Sequence, residues 1–195
     1  MKLNKDFYNR PVLSVSRDLL GKRLFSYIDG QLVSGIICET EAYAGVNDKA
    51  SHAYGNRRTK RTESMYRAAG LANIYLCYGI HHLFNVVVNH AEIPEAVLIR
   101  GISIDRGIST ALKRRNKSTF STNICIGPGK VSQALGINTK DNLTSLLGDK
   151  IWIEDVNIQP KMSEIISSPR IGVDYAEEDA LLPYRFQYKV SNNLI

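Results

Sequence analysis

Residues 24 to 43 read LFSYIDGQLVSGIICETEAY. Two apolar stretches flank Asp29-Gly30, a dipeptide that tolerates the positive φ values of a two-residue hairpin loop. Strands over Leu24 to Ile28 and Leu32 to Tyr43 are therefore expected to pair antiparallel, which commits the chain to a sheet-based fold. The second arm ends in two carboxylates, Glu39 and Glu41, and then Tyr43. Strand side chains alternate faces, so these three are expected on one face, together with Val33, Gly35 and Ile37 before them. Ionised carboxylates seldom sit on a buried surface without partners. Either this strand end emerges into solvent or it enters a polar pocket.

The remaining chain mixes short strands with isolated helices. A helical spacing in PVLSVSRDLLGKRL stops at Gly21. Asn73 to Tyr78 and Leu83 to Asn89 read as strands joined by a short tip containing Gly79, and Ala96 to Arg100 as another. Ser103 to Arg115 reads as a basic-ended helix and Pro128 to Leu135 as a short one entered through Gly127-Pro128. Lys150 to Val156 reads as a strand around Trp152. A turn-rich tail, SSPRIGVDYAEED, precedes the aromatic segment LLPYRFQYKV. Residues 44 to 63 show no sustained period, and a loop of that length inside a compact domain is usually functional. The pattern predicts α+β architecture, with residues 1–195 forming a single domain.

Composition narrows the function classes. Lys plus Arg number 25 against 19 Asp plus Glu, a net +6 that is compatible with a polyanionic partner. The first residues carry no apolar signal core, and no run is long enough to span a bilayer, so no membrane association is expected. Cys38, Cys77 and Cys125 form no CxxC pair and are odd in number. They are expected as buried free thiols, which suits a reducing cytoplasm. His52, His81, His82 and His90 form no HxH, HExxH or Cys/His pattern, so no metal is expected.

Three sets of residues could carry chemistry. Glu39, Glu41 and Tyr43 either end a surface strand or line a pocket. His52, with Arg57, Arg58, Lys60 and Arg61, is either a solvated loop or part of a binding surface. In IYLCYGIHH, Tyr75 and Tyr78 face opposite ways on a strand, and Tyr78-Gly79-Ile80 places large apolar groups on a projection. Such projections generally have a partner, and beside a basic loop the partner could be nucleic acid, with the tip wedged between base steps.

The ordered segments ETEAY–(eight residues)–H, IYLCYGIHHLFN, AVLIRG, GPGKVSQALGI and SPRIGV resemble the alkyladenine (3-methyladenine) DNA glycosylase family over nearly the whole chain. The resemblance implies a curved antiparallel sheet, partly an open barrel, with surrounding helices and a protruding β-hairpin. It implies excision of alkylated purines from double-stranded DNA by a monofunctional, cytoplasmic, monomeric enzyme without cofactor. Glu41 resembles the family's general base and Arg100 the arginine that helps hold the attacking water. A carbonyl between Arg170 and Val173 is implied as that water's third contact. Tyr43, Tyr75 and His52 resemble residues of the flipped-base pocket, and Asn85 one that excludes ordinary purines by shape. Tyr78 resembles the residue inserted into the duplex. Arg57, Arg58, Arg61 and Lys130 are the expected contacts to the DNA backbone. The His81-His82 tip and the long polar connection between Asn85 and Arg100 depart from the family pattern.

Simple chemistry supports this reading. A glycosidic carbon is out of reach inside a stacked duplex, so the nucleotide must be flipped out. An N3- or N7-alkylated purine is cationic, and tyrosine faces attract it by about 0.5–2 kcal/mol. Glu41 is expected to stay ionised beside Arg100. Glu39 is expected to pair with Arg100 or Lys130, or only to cap the strand. A carbohydrate hydrolase using Glu39 and Glu41 fails on geometry, because both point one way and cannot flank a bond. A non-catalytic nucleic-acid-binding module leaves the carboxylates unexplained.

Overall fold

The computed structural model describes residues 1–190. Chain order is α1 (Lys5–Tyr8), α2 (Val12–Asp18), β1 (Arg23–Ile28), β2 (Gln31–Tyr43), β3 (Ala72–Cys77), β4 (His81–Val88), β5 (Glu95–Arg106), α3 (Ile108–Arg114), α4 (Pro128–Leu135), β6 (Ile151–Glu154), β7 (Ile165–Ser168) and β8 (Arg185–Tyr188), with short 3-10 turns between them. The strands form one antiparallel, curled sheet in the order β3-β4-β5-β2-β1-β6. β8 adds to β2 beyond the reach of β1, and β7 pairs with β8. The class is α+β, as the sequence predicts.

The Asp29-Gly30 loop is a two-residue turn with φ of 54° and 69°, and Ile28 pairs with Gln31 across it. That geometry matches the right-handed twist of the arms. Helices α2 and α4 close over one face of the sheet. There Val15, Leu19, Val131 and Leu135 meet Ile37, Phe84, Ile99 and Phe186 in one continuous core. Burying each such side chain contributes about 1.5–3 kcal/mol.

Three expectations fail in instructive ways. Ser103 to Arg106 is strand, not the start of a helix: β5 runs to Arg106 and α3 begins only at Ile108. Ile102 and Ile104 both enter the core at period two, and Gly107 (φ 71°) then turns the chain. A Cβ on Gly107 would stand 2.3 Å from the Leu32 carbonyl oxygen, so only glycine allows the approach. The first long helix also ends earlier than Gly21, at Asp18.

The third failure matters more for function. Val33 and Ile37 face the core, but so do Thr40 and Ala42, while Glu39, Glu41 and Tyr43 are turned to the other side. The change of face occurs at a double irregularity. Ile37 pairs with Ile102 and Glu39 with Gly101, which leaves Cys38 without an opposite residue. Thr40 then pairs with Ile99, which leaves Arg100 without one. A one-residue offset reverses every later side chain. Because both strands are offset, Ile99 and Val97 stay in the core while Arg100 and Leu98 join the carboxylates' side. Gly101 makes room: a Cβ there would lie 3.1 Å from that of Glu39 and 3.2 Å from Cys38 Sγ.

Candidate active site and nucleic-acid interface

On the side to which Glu41 turns, the sheet floors a cavity of about 480 Å³. Its walls come from β2 to β5, the segment 50–65, the β3–β4 tip and residues 171–175. Tyr43, His52, Tyr75, Asn85, Tyr78 and Arg100 all line it. The structure thus brings together six residues that the sequence places in separate segments. Glu41 itself is 0% exposed and lies beneath the cavity, behind Arg100 and Tyr43.

Three donors converge on Glu41. Its Oε1 accepts the Ile171 N–H at 2.8 Å. Its Oε2 accepts the Tyr43 hydroxyl at 2.9 Å and Arg100 Nη1 at 3.3 Å. A carboxylate oxygen can accept two hydrogen bonds, so Oε1 keeps spare capacity. Arg100 also donates from Nε to Glu39 Oε1 at 3.3 Å, and Arg185 Nη1 reaches the same oxygen at 3.0 Å. Glu41, Arg100, Glu39 and Arg185 therefore form a row of alternating charge. Glu39 pairs with Arg100, one of the expected partners, and with Arg185. It is the counter-charge between two arginines.

Burial pushes the Glu41 carboxyl above the usual carboxylate range, against the lowering effects of Arg100, the Ile171 N–H and the Tyr43 hydroxyl. Arg100 does favour the carboxylate, as expected, but desolvation of the enclosed carboxyl outweighs one guanidinium at 3.3 Å, so the net direction is upward. Burial, then the Glu41 charge, raises the Tyr43 phenol, which keeps it a hydrogen-bond donor.

The upper cavity is aromatic. The His52 ring meets Tyr75 edge-on, with centroids 4.9 Å apart. Burial lowers the His52 pKa from 6.5, and Arg61 and Arg57 lower it further, so the imidazole is neutral at pH 7. Asn85 donates its amide N–H to the Asn73 carbonyl at 3.1 Å across the β3–β4 pair, which holds its side chain against the cavity wall. Tyr78 and Ile80 crown the β3–β4 tip at 89% and 71% exposure. Tyr78 is therefore no core residue. Of the cysteines, Cys125 is buried as expected, but Cys38, at the bulge of β2, and Cys77, in the cavity wall, are only half-buried.

The basic residues separate. Lys130 and Arg57 are exposed. Arg58 is engaged with Glu63 and Glu92 and lies over the Tyr66 ring at 4.6 Å. Arg61 lines the cavity with its guanidinium 4.8 Å from the Tyr75 centroid. Local sequence made these three arginines equivalent, and tertiary contacts make them different. Sequence reasoning also passed over Tyr175, an exposed cavity residue whose hydroxyl bonds the Ala50 carbonyl at 3.0 Å, and the buried pair Asp48–Arg170. The RIGV segment also contacts Glu41 directly, through the Ile171 N–H. Among the described residues, no group of three His, Cys, Asp or Glu could hold a metal ion, and no helix is long and apolar enough to cross a membrane.

A profile of the methylpurine-DNA glycosylase family matches residues 6–192. Relatives provisionally named 3-methyladenine DNA glycosylases align almost end to end. One from Clostridium acetobutylicum is 42% identical, covering 97% of this chain and 95% of its own. One from Bacillus cytotoxicus is 43% identical, covering 97% of each chain. One from Chlamydia felis is 44% identical, covering 96% of this chain and 95% of its own.

Proposed function

The chain belongs to the methylpurine-DNA glycosylase family and is a hydrolytic DNA N-glycosylase; from that premise we propose that it flips alkylated purines of the 3-methyladenine type out of duplex DNA and hydrolyses them with a water activated by Glu41. The observation that carries this reading is the convergence of three donors on one buried carboxylate beneath an aromatic cavity.

The tip enters the duplex first. Tyr78 fills the gap left by the extruded nucleotide, and base–aromatic stacking contributes about 1–3 kcal/mol towards the few kcal/mol that flipping costs. The damaged purine enters the cavity against Tyr43, Tyr75 and His52. Its positive charge is attracted to the tyrosine faces, and a neutral His52 adds no like charge to repel it. Asn85, held by its bond to Asn73, limits the shape of base that fits.

Water then attacks the anomeric carbon while the C–N bond breaks. Glu41 takes the water's proton, and the bonding pair leaves with the purine, which departs as a neutral base. The sugar remains as an abasic site. A carboxylate whose pKa is raised toward the working pH is a stronger base than an ordinary one, so the burial that raises it also serves the chemistry. Arg100, facing the cavity and touching Glu41, orients the water. No step forms a covalent bond to the protein, so the enzyme is monofunctional. It works as a monomeric single domain, and Arg57, Lys130 and Arg61 contribute phosphate contacts from the rim.

Glu41→Gln tests this directly. Excision of N7-methylguanine from duplex DNA under single turnover should fall by about 10²–10⁴-fold, with DNA affinity retained and chelator without effect. Excision within about threefold of wild type would remove Glu41 from the base role.

A further inference from the structure

Asp48 and Arg170 form a closed buried unit. Arg170 Nη1 donates to Asp48 Oδ2 at 2.5 Å and Nη2 to Oδ1 at 2.8 Å. Asp48 also accepts the Ala44 and Ala50 N–H groups at 2.9 and 3.0 Å, which fills the remaining places around its two oxygens. The guanidinium is wholly shielded and lies 5.0 Å from the Tyr43 ring centroid and 5.2 Å from that of Tyr184. Its Nη1 further donates to the Ala42 carbonyl at 2.9 Å, on the strand between Glu41 and Tyr43. One peptide beyond Arg170 is the Ile171 N–H that holds Glu41 Oε1.

We infer that Asp48 and Arg170 are positioning residues for Glu41, because one planar buried guanidinium fixes both the Tyr43 ring and the peptide that leads to the Ile171 N–H. Two of the three donors on Glu41 are thus set by a group that never touches it. The bidentate fork matters here, since a point charge would anchor Asp48 without defining a plane. The same pair ties the 44–53 segment to the 170–179 segment. Tyr175 and Asp179 bond that segment again at Ala50 and at the Lys49 N–H, so His52 and the Glu41 support move as one body. The inference rests on the reading of Glu41 as general base.

The pH profile of excision separates positioning from mere folding. The charged and titratable groups around Glu41 are Glu39 and Tyr43 on β2, Arg100 on β5, Arg185 on β8 acting through Glu39, Tyr75 on β3 and Arg170 itself. The Ile171 N–H and the Tyr43 hydroxyl both favour the carboxylate. Loosening them must raise the pH at which excision is lost on acidification. Arg170→Lys keeps the charge but not the plane. Asp48→Asn/Arg170→Gln removes both charges together and strands neither. Single-turnover rates on N7-methylguanine duplex DNA should show the acid limb moved up by about half to one pH unit in each variant. The plateau rate should fall about tenfold, with affinity for abasic-site DNA unchanged. An acid limb that superimposes on wild type in either folded variant overturns the inference. So does failure of both to fold, which would assign the pair to stability alone. Glu41→Gln run alongside distinguishes the two readings: if it excises normally, the general-base reading falls, whatever the pair variants do.

Discussion

The floor of the cavity and the β3–β4 tip are opposite kinds of structure. Beneath the floor, Glu41 is wholly enclosed and the carboxylates are all paired: three donors on Glu41, Glu39 between two arginines, Asp48 saturated by Arg170 and two amides. At the tip, Tyr78 and Ile80 project with most of their surface in solvent and no partner to cover them among the described residues. Groups that act on charge are arranged before substrate arrives, because reorganising buried dipoles during the reaction would cost rate. The apolar surface of the tip is left for a partner to cover, so its contribution is realised only on binding. On the proposed mechanism, the difference means that chemistry and DNA engagement should be separable by mutation in this molecule.

The strongest way to break that contrast is at the floor. Asp48→Ala leaves Arg170 buried and unpaired, which should cost about 3–5 kcal/mol of stability. For a chain of this size that lowers the melting temperature by roughly 10 °C. Next door, Lys49→Ala removes only exposed ion pairs to Glu177 and Glu178 and should change the melting temperature by under about 2 °C. Equal effects of the two, read by thermal denaturation, would mean that the 48–170 pair is not the anchor its burial implies.

The tip should behave in reverse. Tyr78→Ser should leave the melting temperature of the free protein almost unchanged, because its ring is exposed. Duplex excision should fall by an amount equivalent to about 1–3 kcal/mol, roughly 5- to 150-fold. A lesion already poorly stacked should suffer less. Loss of stability together with uniform loss of activity on both substrates would take Tyr78 out of the DNA interface.

The smallest effect is a matter of sign. The folded state holds the Glu41 carboxyl pKa above 4.5, its value in the open chain. In the window between 4.5 and that raised pKa the folded state binds more protons than the unfolded one, so stability from this group is lost as pH rises through it. With Glu41 as the proposed general base, excision should run the other way, appearing as the carboxylate forms. Glu41→Gln should therefore be at least as stable as wild type at pH 7 while inactive, as measured by paired melting and excision curves. A variant clearly less stable than wild type at pH 7 would contradict the buried, raised carboxylate.

Much of this was legible in the sequence. The Asp29-Gly30 hairpin, the helix entered at Pro128 and the tip at Tyr78-Gly79 lie where local turn chemistry puts them. Arg100 in the cavity wall could be read from its motif. Less legible were β5 beyond Arg100, where three residues of IDRG read as helically as they read as strand, and β7, too short to carry a period. Arg57, Arg58 and Arg61 could not be told apart, because what separates them is Glu92 and the rings of Tyr66 and Tyr75, distant in the chain or opposite in the fold.

By itself, then, the sequence determined most of the strands and helices but not the end of β5 or β7, since spacing and turn residues act over a few positions. It also determined which residue types could do the chemistry. Tertiary structure alone decided that Glu41 faces the cavity. Simple alternation would have put it on the face of Val33 and Ile37, in the core. The paired offsets at Cys38 and Arg100 reverse both strands together, and only two strands held in register against one core can enforce that. It decided, too, that Asp48 and Arg170, 122 residues apart in the chain, form one buried bidentate ion pair. A buried charge must find its partner wherever the fold brings one, and no local pattern can announce where that is.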